Sequence, residues 1–389
     1  DIEETNSNLQ GLNRQLYQSR TAAEDAVRAY QRFAPSQIGH AESYNLAAAT
    51  YMLFGEHYCS GVPFSRLTPE GDFEYGGQET TEQIFTRALN SADSAIAVAT
   101  RAALPSNAAG TARRNEVLNT ARVLKGRALL NLNRPADAAL AVADVPANHR
   151  FAITHSENTA REYNNVFTFN RLDRRVSVAN NEGINGLPYR DAFTAGDPRT
   201  PWNRLTPTAR GFDAVTPQFN QLKYFNRSAD VPLTTGAEAL YIRAEAALRA
   251  GNVAQFETFI NQARGAAAQG AAVGSAAGTL GAPASSGAAL PALTSAEIGT
   301  TMDARINTLF RERAYTMWLT AHRMGDLRRL VRQYGRPQNQ VFPTGAYFKA
   351  VQGGQYGSDV NFPLSVDERN NPEFANFPSN VSLCLNRDA

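Results

Sequence analysis

The sequence predicts an all-α protein, a tetratricopeptide-like helical repeat scaffold with long irregular loop insertions. Apolar residues recur at three- and four-residue steps over several long stretches, which is the pattern of helices that bury one face. Two of these stretches have the form of a helical hairpin, and nowhere do strands alternate regularly with helices. This combination favours helical repeats over a doubly wound sheet.

The first part of the chain predicts helices joined by irregular links. Residues 8–33 and 41–55 carry the helical period, and residues 56–80 interrupt it with Gly, Pro and other turn formers. The period resumes over residues 81–104 behind a threonine, a residue type that caps helix N-termini.

Two segments carry the hairpin pattern most clearly. In residues 119–146, one apolar stripe ends at an Asn-Arg-Pro step and a second stripe runs to Pro146. In residues 236–264, the two stripes are separated by Gly251-Asn252. Small residues at the helix crossing and a closing proline are features of tetratricopeptide hairpins, whose period is about 34 residues. We interpret the two segments as diverged copies of one unit.

We expect one domain over residues 1–389. Its parts are a helical core at about 8–146 and 236–334, a loop-rich insertion at about 147–235, a low-complexity Ala/Gly/Ser insert at 265–295 and a C-terminal segment at 335–389. The low-complexity insert is flexible by composition. The loop-rich insertion has a high aromatic content, and long insertions on a rigid scaffold are where binding residues tend to lie.

Charge and composition exclude several classes of function. The 38 Lys and Arg residues nearly balance the 36 Asp and Glu residues, so the net charge of +2 predicts no nucleic-acid partner. No apolar run approaches the roughly 18–20 residues that cross a bilayer. The chain begins at Asp1 rather than Met, so we expect that a leader was removed by processing or truncation, which is compatible with export.

Cys59 and Cys384 are the only cysteines and have no metal-binding spacing. If the protein is exported, they can form a disulfide that closes almost the whole chain. The alternative is two unrelated buried thiols, because sequence alone does not set their distance.

No motif for catalysis is found. The five histidines do not have the spacing of a metal site, and phosphate-binding, dinucleotide-binding and nucleophile-elbow motifs are missing. We therefore predict a protein that is not an enzyme and has no metal or cofactor. Carboxylates at residues 72–74 could serve glycoside hydrolysis only if folding set two of them at the required separation, and a solvated loop is the alternative.

The segment 301–324 predicts one amphipathic helix. Met317 and Trp318 belong to its apolar stripe, so we expect both in the core, with the arginines on the other face. Glu312 lies between two arginines and is expected to join a lattice of salt bridges that holds helix to helix. Asp326 is expected to cap a new turn.

The C-terminal part resembles the signature of the SusD/RagB nutrient-uptake proteins. The residues that carry the resemblance are Glu312-Arg313, Arg323, Asp326-Leu327-Arg328-Arg329, Phe362-Pro363-Leu364, Glu368 and Asn371-Pro372. The segments beginning at Leu240 and Ala41 also resemble helices of that family, in the same order. The chain departs from the pattern at its Glu-Gly step, where Thr320 and Ala321 stand.

The resemblance implies a single SusD-like domain in an outer-membrane lipoprotein at the cell surface. Such a protein is a lid on a SusC-like TonB-dependent transporter, and it captures an oligosaccharide or a peptide without catalysis. Contact with the membrane would be made only through an N-terminal lipid anchor, whose cysteine has no counterpart in this chain and is inferred from the family alone. The motif residues Glu312, Arg313, Arg323, Asp326, Arg328 and Arg329 are interpreted as structural.

Ligand capture is assigned to aromatic residues in the loops, because sugar rings expose apolar C–H faces that pack on aromatic rings. The candidates are Trp202, Phe73, Tyr75, and Tyr189 with Arg190 and Asp191. The alternative for each is that its ring fixes its own loop to the helical core.

Two other functions remain open from the residues. A tetratricopeptide-like scaffold can serve as an adaptor that binds a protein segment or as a self-assembling surface subunit. An extracellular glycan hydrolase is the third possibility.

Overall fold

The computed structural model describes residues 5–58, 60–68, 70–270, 290–347 and 354–375. The chain folds into two compact units. The first unit takes in the described chain up to Asp144, Met324–Phe342 and the described residues from Ala346 onward. The second takes in Val145–Arg323 and Pro343–Gly345. Each unit is described by itself.

The first unit begins with five helices and four short strands. In chain order they are α1 (Ser7–Phe33), α2 (Ile38–His57), β1 (Val62–Pro63), β2 (Arg66–Leu67), β3 (Phe73–Glu74), β4 (Gln78–Glu79), α3 (Thr81–Arg101), α4 (Ala108–Asn131) and α5 (Pro135–Ala141). β1 pairs with β4 and β2 with β3, both antiparallel.

Helix α2 lies at the centre of this unit because it has no polar face. It packs against α1, α3 and α4, and most of its residues are buried. α3 begins with a reciprocal cap, in which the Thr80 hydroxyl accepts from the Gln83 N–H and the Gln83 side chain accepts from the Thr80 N–H. The threonine cap that the sequence predicts is confirmed.

The second unit holds the loop-rich insertion and a second helical hairpin. Its elements are β5 (Arg150–Ile153), a 3₁₀ turn (Ala160–Glu162), α6 (Asn165–Phe167), a π-helical turn (Thr168–Leu172), α7 (Tyr189–Thr194), β6 (Trp202–Asn203), β7 (Asn220–Gln221), β8 (Val231–Thr235), α8 (Gly236–Arg249), α9 (Val253–Gly270), α10 (Ser295–Ile298) and α11 (Met302–Thr316). β5 pairs with β8 and β6 with β7, both antiparallel.

Both predicted hairpins are present, and they turn in the same way. Between α4 and α5, Asn133 takes a left-handed conformation with φ 60°. Between α8 and α9, Gly251 takes the equivalent position with φ 73°. Gly and Asn are the residues that adopt this conformation most readily, so each sequence carries a suitable residue where its helix must stop.

The chain then returns to the first unit with α12 (Arg323–Tyr334), α13 (Gln338–Val341), a 3₁₀ turn (Val366–Asn370) and α14 (Pro372–Ala375). Arg323, the first residue of α12, belongs to the second unit. Leu327 packs with Phe342 and Val360 in a small apolar cluster.

The prediction of one helix over residues 301–324 is wrong. α11 ends at Thr316, and Leu319 and Ala321 follow in the left-handed conformation with φ 59° and 61°. The break leaves three backbone carbonyl groups without a partner in a helix, and nearby side chains donate hydrogen bonds to them. The Thr320 hydroxyl donates to Met317 O, the Lys223 ammonium to Trp318 O and the Tyr224 hydroxyl to Leu319 O.

Two further expectations for this region need correction. Asp326 does not cap a turn, because α12 already begins at Arg323 and Asp326 lies inside it. The arginines of α11 do not all lie on an outer face, because Arg313 is only 2% exposed.

The all-α fold class is confirmed, since the described strands are short and pair only two by two. The predicted low-complexity insert at 265–295 begins inside α9, which runs to Gly270, and residues 271–289 lie outside the described residues. Cys59 and Cys384 also lie outside them, so their pairing stays a prediction. In the part of the chain that the structure describes, no helix is both long and apolar enough to cross a bilayer.

Candidate ligand-binding site

An exposed cluster of rings and arginines forms in the loop-rich insertion of the second unit. Three elements build it: α7 carries Arg190 and Phe193, β6 carries Trp202, and β7 follows directly after Phe219. The pairing of Trp202 with Gln221 in the β6–β7 ladder brings the indole beside Phe219.

The rings form a continuous row. The centroids of Phe193 and Trp202 are 6.5 Å apart and those of Trp202 and Phe219 are 5.4 Å apart, both edge to face. The indole Nε1 of Trp202 donates to Arg190 O at 3.0 Å, which fixes the ring against α7. All three rings are partly exposed, so the row is open to a ligand.

Two arginines complete this cluster. The guanidinium carbon of Arg190 lies 3.8 Å from the ring centroid of Phe219 and 5.7 Å from that of Trp202. The guanidinium carbon of Arg204 lies 5.0 Å from the centroid of Phe219. We call the set Arg190, Phe193, Trp202, Arg204 and Phe219 the aromatic–arginine face.

The structure brings three of the predicted residues together here and places Tyr189 elsewhere. Trp202 and Arg190 belong to the face. Asp191 lies beside it on the exposed side of α7, where the side chain of Asn180 donates to its carboxylate at 2.9 Å. Tyr189 is buried against Tyr315 and Trp318, which is the alternative that the sequence left open for it. Its hydroxyl donates to Glu182, and burial raises its pKa.

Phe73 and Tyr75 lie in the first unit. Phe73 is 55% exposed and Tyr75 is 45% exposed, with ring centroids 4.8 Å apart. The antiparallel pair of β2 and β3 presents them, and an ion pair between Arg66 and Glu74 crosses that pair. These rings form a second exposed apolar surface, in a separate unit from the aromatic–arginine face.

Sequence reasoning missed Phe193, Arg204 and Phe219. Arg204 could have been found, because it follows Trp202 by two residues and alternate residues of an extended segment share a side. Phe219 reaches the face only through the β6–β7 pairing, across a long loop whose turn residues do not show which segments pair.

The motif residues in the second unit form buried ion pairs. Glu312 is 2% exposed and accepts from Arg199 and Arg264, each at 2.7 Å. Burial alone would raise the pKa of Glu312, but the two arginines outweigh it and lower the pKa. Arg323 pairs with Glu182 at 2.6 Å. These charges are engaged inside the protein, as a structural role requires.

The motif residues in the first unit connect α12 to α2. Arg328 donates to Gly55 O at 2.9 Å and to Tyr58 O at 2.8 Å, at the end of α2. Asp326 pairs with Arg329 at 2.9 Å. Burial first, and then the charge of Arg332, lowers the pKa of Arg328 to about 9.

A cavity of about 530 Å³ lies beside these contacts, within the first unit. Its wall includes Glu56, Thr81, Asn131, Arg328 and Arg332. Glu56 is bound on both carboxylate oxygens by Arg127, so this part of the wall is an internal ion pair. Within the described residues, no group of three or more His, Cys, Asp or Glu side chains could hold a metal ion.

Comparison with solved structures finds the same fold in SusD-like proteins. A SusD/RagB family protein from Bacteroides thetaiotaomicron superposes with a TM-score of 0.63 at 15% identity, over 95% of this chain and 84% of that one. A laminarin-binding SusD-like protein gives a TM-score of 0.56 at 14% identity, over 94% and 84%. A Bacteroides vulgatus protein described as a candidate outer-membrane protein with an inferred role in nutrient binding gives 0.57 at 12% identity, over 91% and 84%.

No protein-family model and no curated protein sequence matches the chain. The resemblance read from the sequence is therefore confirmed at the level of the fold. The protein is a helical repeat scaffold with loop insertions. That scaffold is the SusD/RagB fold, spanning most of each solved structure it matches.

Proposed function

We propose that this protein is a SusD-like substrate-binding protein that captures an oligosaccharide at its aromatic–arginine face, without chemical conversion. The observation that carries the proposal is a partly exposed row of three rings with arginine donors beside it, on the SusD/RagB fold. Peptide capture at the same face is the second possibility within this proposal.

The chemistry of the face fits a sugar. A pyranose ring presents apolar C–H groups on its faces and hydroxyl groups around its rim. Trp202 and Phe193 supply the apolar surface, and Asp191 and the arginines supply acceptors and donors beside it. Because the Trp202 indole is held by its bond to Arg190 O, little side-chain freedom is lost when a ligand packs on it.

The cellular setting belongs to the same proposal. We propose one SusD-like domain over residues 1–389, exported to the outer surface of the outer membrane and attached by an N-terminal lipid. There it would act as the lid of a SusC-like TonB-dependent transporter. Two solved structures with the same fold support this setting, because one is a laminarin-binding SusD-like protein and the other is described as an outer-membrane protein.

The experiment is a binding screen of neutral and charged oligosaccharides and peptides, followed by calorimetric titration of each hit with Trp202→Ala. We expect a loss of at least about tenfold in affinity, that is about 1.4 kcal/mol, because a ring at the centre of a binding surface commonly carries that much energy. Phe33→Ala is the control, since Phe33 is a 75% exposed ring outside the face. Equal affinities for wild type and Trp202→Ala would remove this face from the proposal.

The transporter partner is tested separately, by a mild-detergent pull-down of the native protein from membranes. Recovery of a large outer-membrane barrel is the expected result. Recovery with a cytoplasmic or surface protein, or with copies of itself, would favour the adaptor or assembly function.

A further inference from the structure

Two sets of arginines in the second unit differ in their surroundings. Arg199, Arg264 and Arg323 each lie within 2.7 Å of a carboxylate oxygen. Arg190 and Arg204 make no ion pair with any described residue, and no nitrogen of either side chain forms a hydrogen bond there. The arginines of the first set are therefore neutralised inside the unit, whereas Arg190 and Arg204, like Arg175 and Arg227 elsewhere in the insertion, contact rings and form no ion pair with a described residue.

Unpaired donors at a half-buried position are costly. The Nε atoms of Arg190 and Arg204 are buried without a partner among the described residues, and a buried unsatisfied donor lowers stability. The Nη groups also lack a described partner but are not enclosed, so a ligand can reach them. An anion at the Nη groups would make the strong charge-assisted bonds that guanidinium groups form with carboxylate and sulfate.

The nearest acidic side chain along the chain does not supply this anion. Asp191 follows Arg190 directly, but its carboxylate turns to the Asn180 amide and forms no ion pair with Arg190. Burial lowers the pKa of Arg190, Asp191 partly offsets that effect, and the charge of Arg204 lowers the pKa further. Both guanidinium carbons lie within 5.0 Å of the Phe219 ring centroid, so the two positive charges are near each other, and an anion bound at this face would relieve their repulsion.

The rings hold the guanidinium groups in place before a ligand arrives. Arg190 and Arg204 both contact Phe219, and the attraction between each cation and the ring favours these side-chain positions. Groups fixed in this way lose little freedom on binding. The aromatic–arginine face therefore offers apolar rings and preorganised positive charge together.

From this arrangement, and resting on the proposed function, we infer that the ligand is an acidic oligosaccharide, whose carboxylate or sulfate groups bind Arg190 and Arg204 while a sugar ring packs on Trp202. Uronic acids and sulfate esters share this chemistry.

The test uses paired ligands that differ only in charge. Calorimetric titrations would compare an oligogalacturonate with its methyl ester, and a sulfated galactan oligosaccharide with its desulfated form, at 50 and 300 mM NaCl. We expect the charged member of at least one pair to bind at least tenfold more tightly at low salt, and to lose most of that advantage at high salt because the arginines are partly exposed. The pair that shows the effect identifies the anionic group.

Variants separate this inference from the proposed function. Arg190→Gln and Arg204→Gln should each lower the affinity for the charged member at least about tenfold more than the affinity for the neutral member, whereas Trp202→Ala should weaken both to a similar extent. Arg175→Gln is the matched control, because Arg175 stacks 4.3 Å from the Phe212 ring in the same insertion but outside the face.

Equal affinity for the charged and neutral members, with loss of both in Trp202→Ala, would overturn the acidic ligand and leave oligosaccharide capture standing. Binding that is insensitive to Trp202→Ala as well as to the arginine variants would overturn both.

Discussion

Replacing Ala321 by glycine should stabilise the protein. Ala321 lies in the break between α11 and α12 with φ 61°, a left-handed conformation in which the Cβ atom of an L-residue crowds the following carbonyl oxygen. The SusD/RagB pattern has a glycine at this step, whereas this chain has Thr320-Ala321. The methyl group of Ala321 is exposed, so its removal leaves no cavity.

The magnitude follows from two opposing terms. A non-glycine residue in the left-handed region costs about 1–2 kcal/mol, and glycine removes that cost. Glycine also gives the unfolded chain more freedom, which lowers stability by about 0.4–1 kcal/mol. The net gain expected for Ala321→Gly is therefore about 0–1.6 kcal/mol, with a central value of about 0.8 kcal/mol.

Urea unfolding monitored by circular dichroism measures the effect, with a higher midpoint and an unchanged slope as the expected result. The control is Ala22→Gly, at an exposed position inside α1, where glycine should lower stability by about 0.5–1 kcal/mol. A loss of stability in both variants would show that the conformation of Ala321 stores no strain.

Three further predictions concern buried groups. Gly325→Ala would place a Cβ atom 2.8 Å from the Glu56 side chain, so we expect a loss of about 1–3 kcal/mol in urea unfolding. Burial lowers the pKa of Lys223 to about 7, below its value of about 10.4 in an unfolded chain. Between these two pH values the unfolded chain holds a proton on Lys223 that the folded protein does not hold. The stability that Lys223 contributes is therefore fully present above pH 10.4 and is lost as the pH falls to 7. The free energy of unfolding should thus rise with pH by up to about 1.4 kcal/mol per pH unit through Lys223, and Lys223→Met should abolish this contribution when thermal unfolding is compared from pH 7 to 10. Trp318→Ala should cost about 3–5 kcal/mol, because the indole is buried among aromatic rings, and an unchanged melting temperature with lost ligand binding would place Trp318 in the site instead.

The helical architecture was predictable because its signals are local. The apolar period, the threonine before α3 and the turn residues Asn133 and Gly251 all act within a few residues of their own position. The break at residues 317–322 was not predictable in this way. Its apolar pattern continues that of α11, it contains neither Gly nor Pro, and the groups that satisfy it, Lys223 and Tyr224, come from a distant part of the sequence.

The aromatic–arginine face was predictable only in part, for a related reason. Trp202 stands out in any loop, because a large ring outside the helical stripes needs an explanation. Arg204 follows Trp202 by two residues and could have been found with it, whereas Phe219 joins them only when β6 and β7 pair. Tyr189 was chosen from the same stretch, but it packs against Tyr315 and Trp318, and no local pattern distinguishes that ring from an exposed one.

The residues that make the fold recognisable are separate from those of the proposed site. Glu312, Arg323 and Arg328 are engaged in ion pairs or carbonyl contacts inside the protein, where each position fixes how one segment packs on another. Such contacts restrict the sequence strongly, because loss of one partner leaves a buried charge uncompensated. Arg190 and Arg204 make no contact of that kind with the described residues, so the fold leaves them free to match a ligand. Resemblance in the motif therefore predicts the scaffold, and the chemistry of the ligand has to be read from the unpaired side chains on the loop-rich insertion.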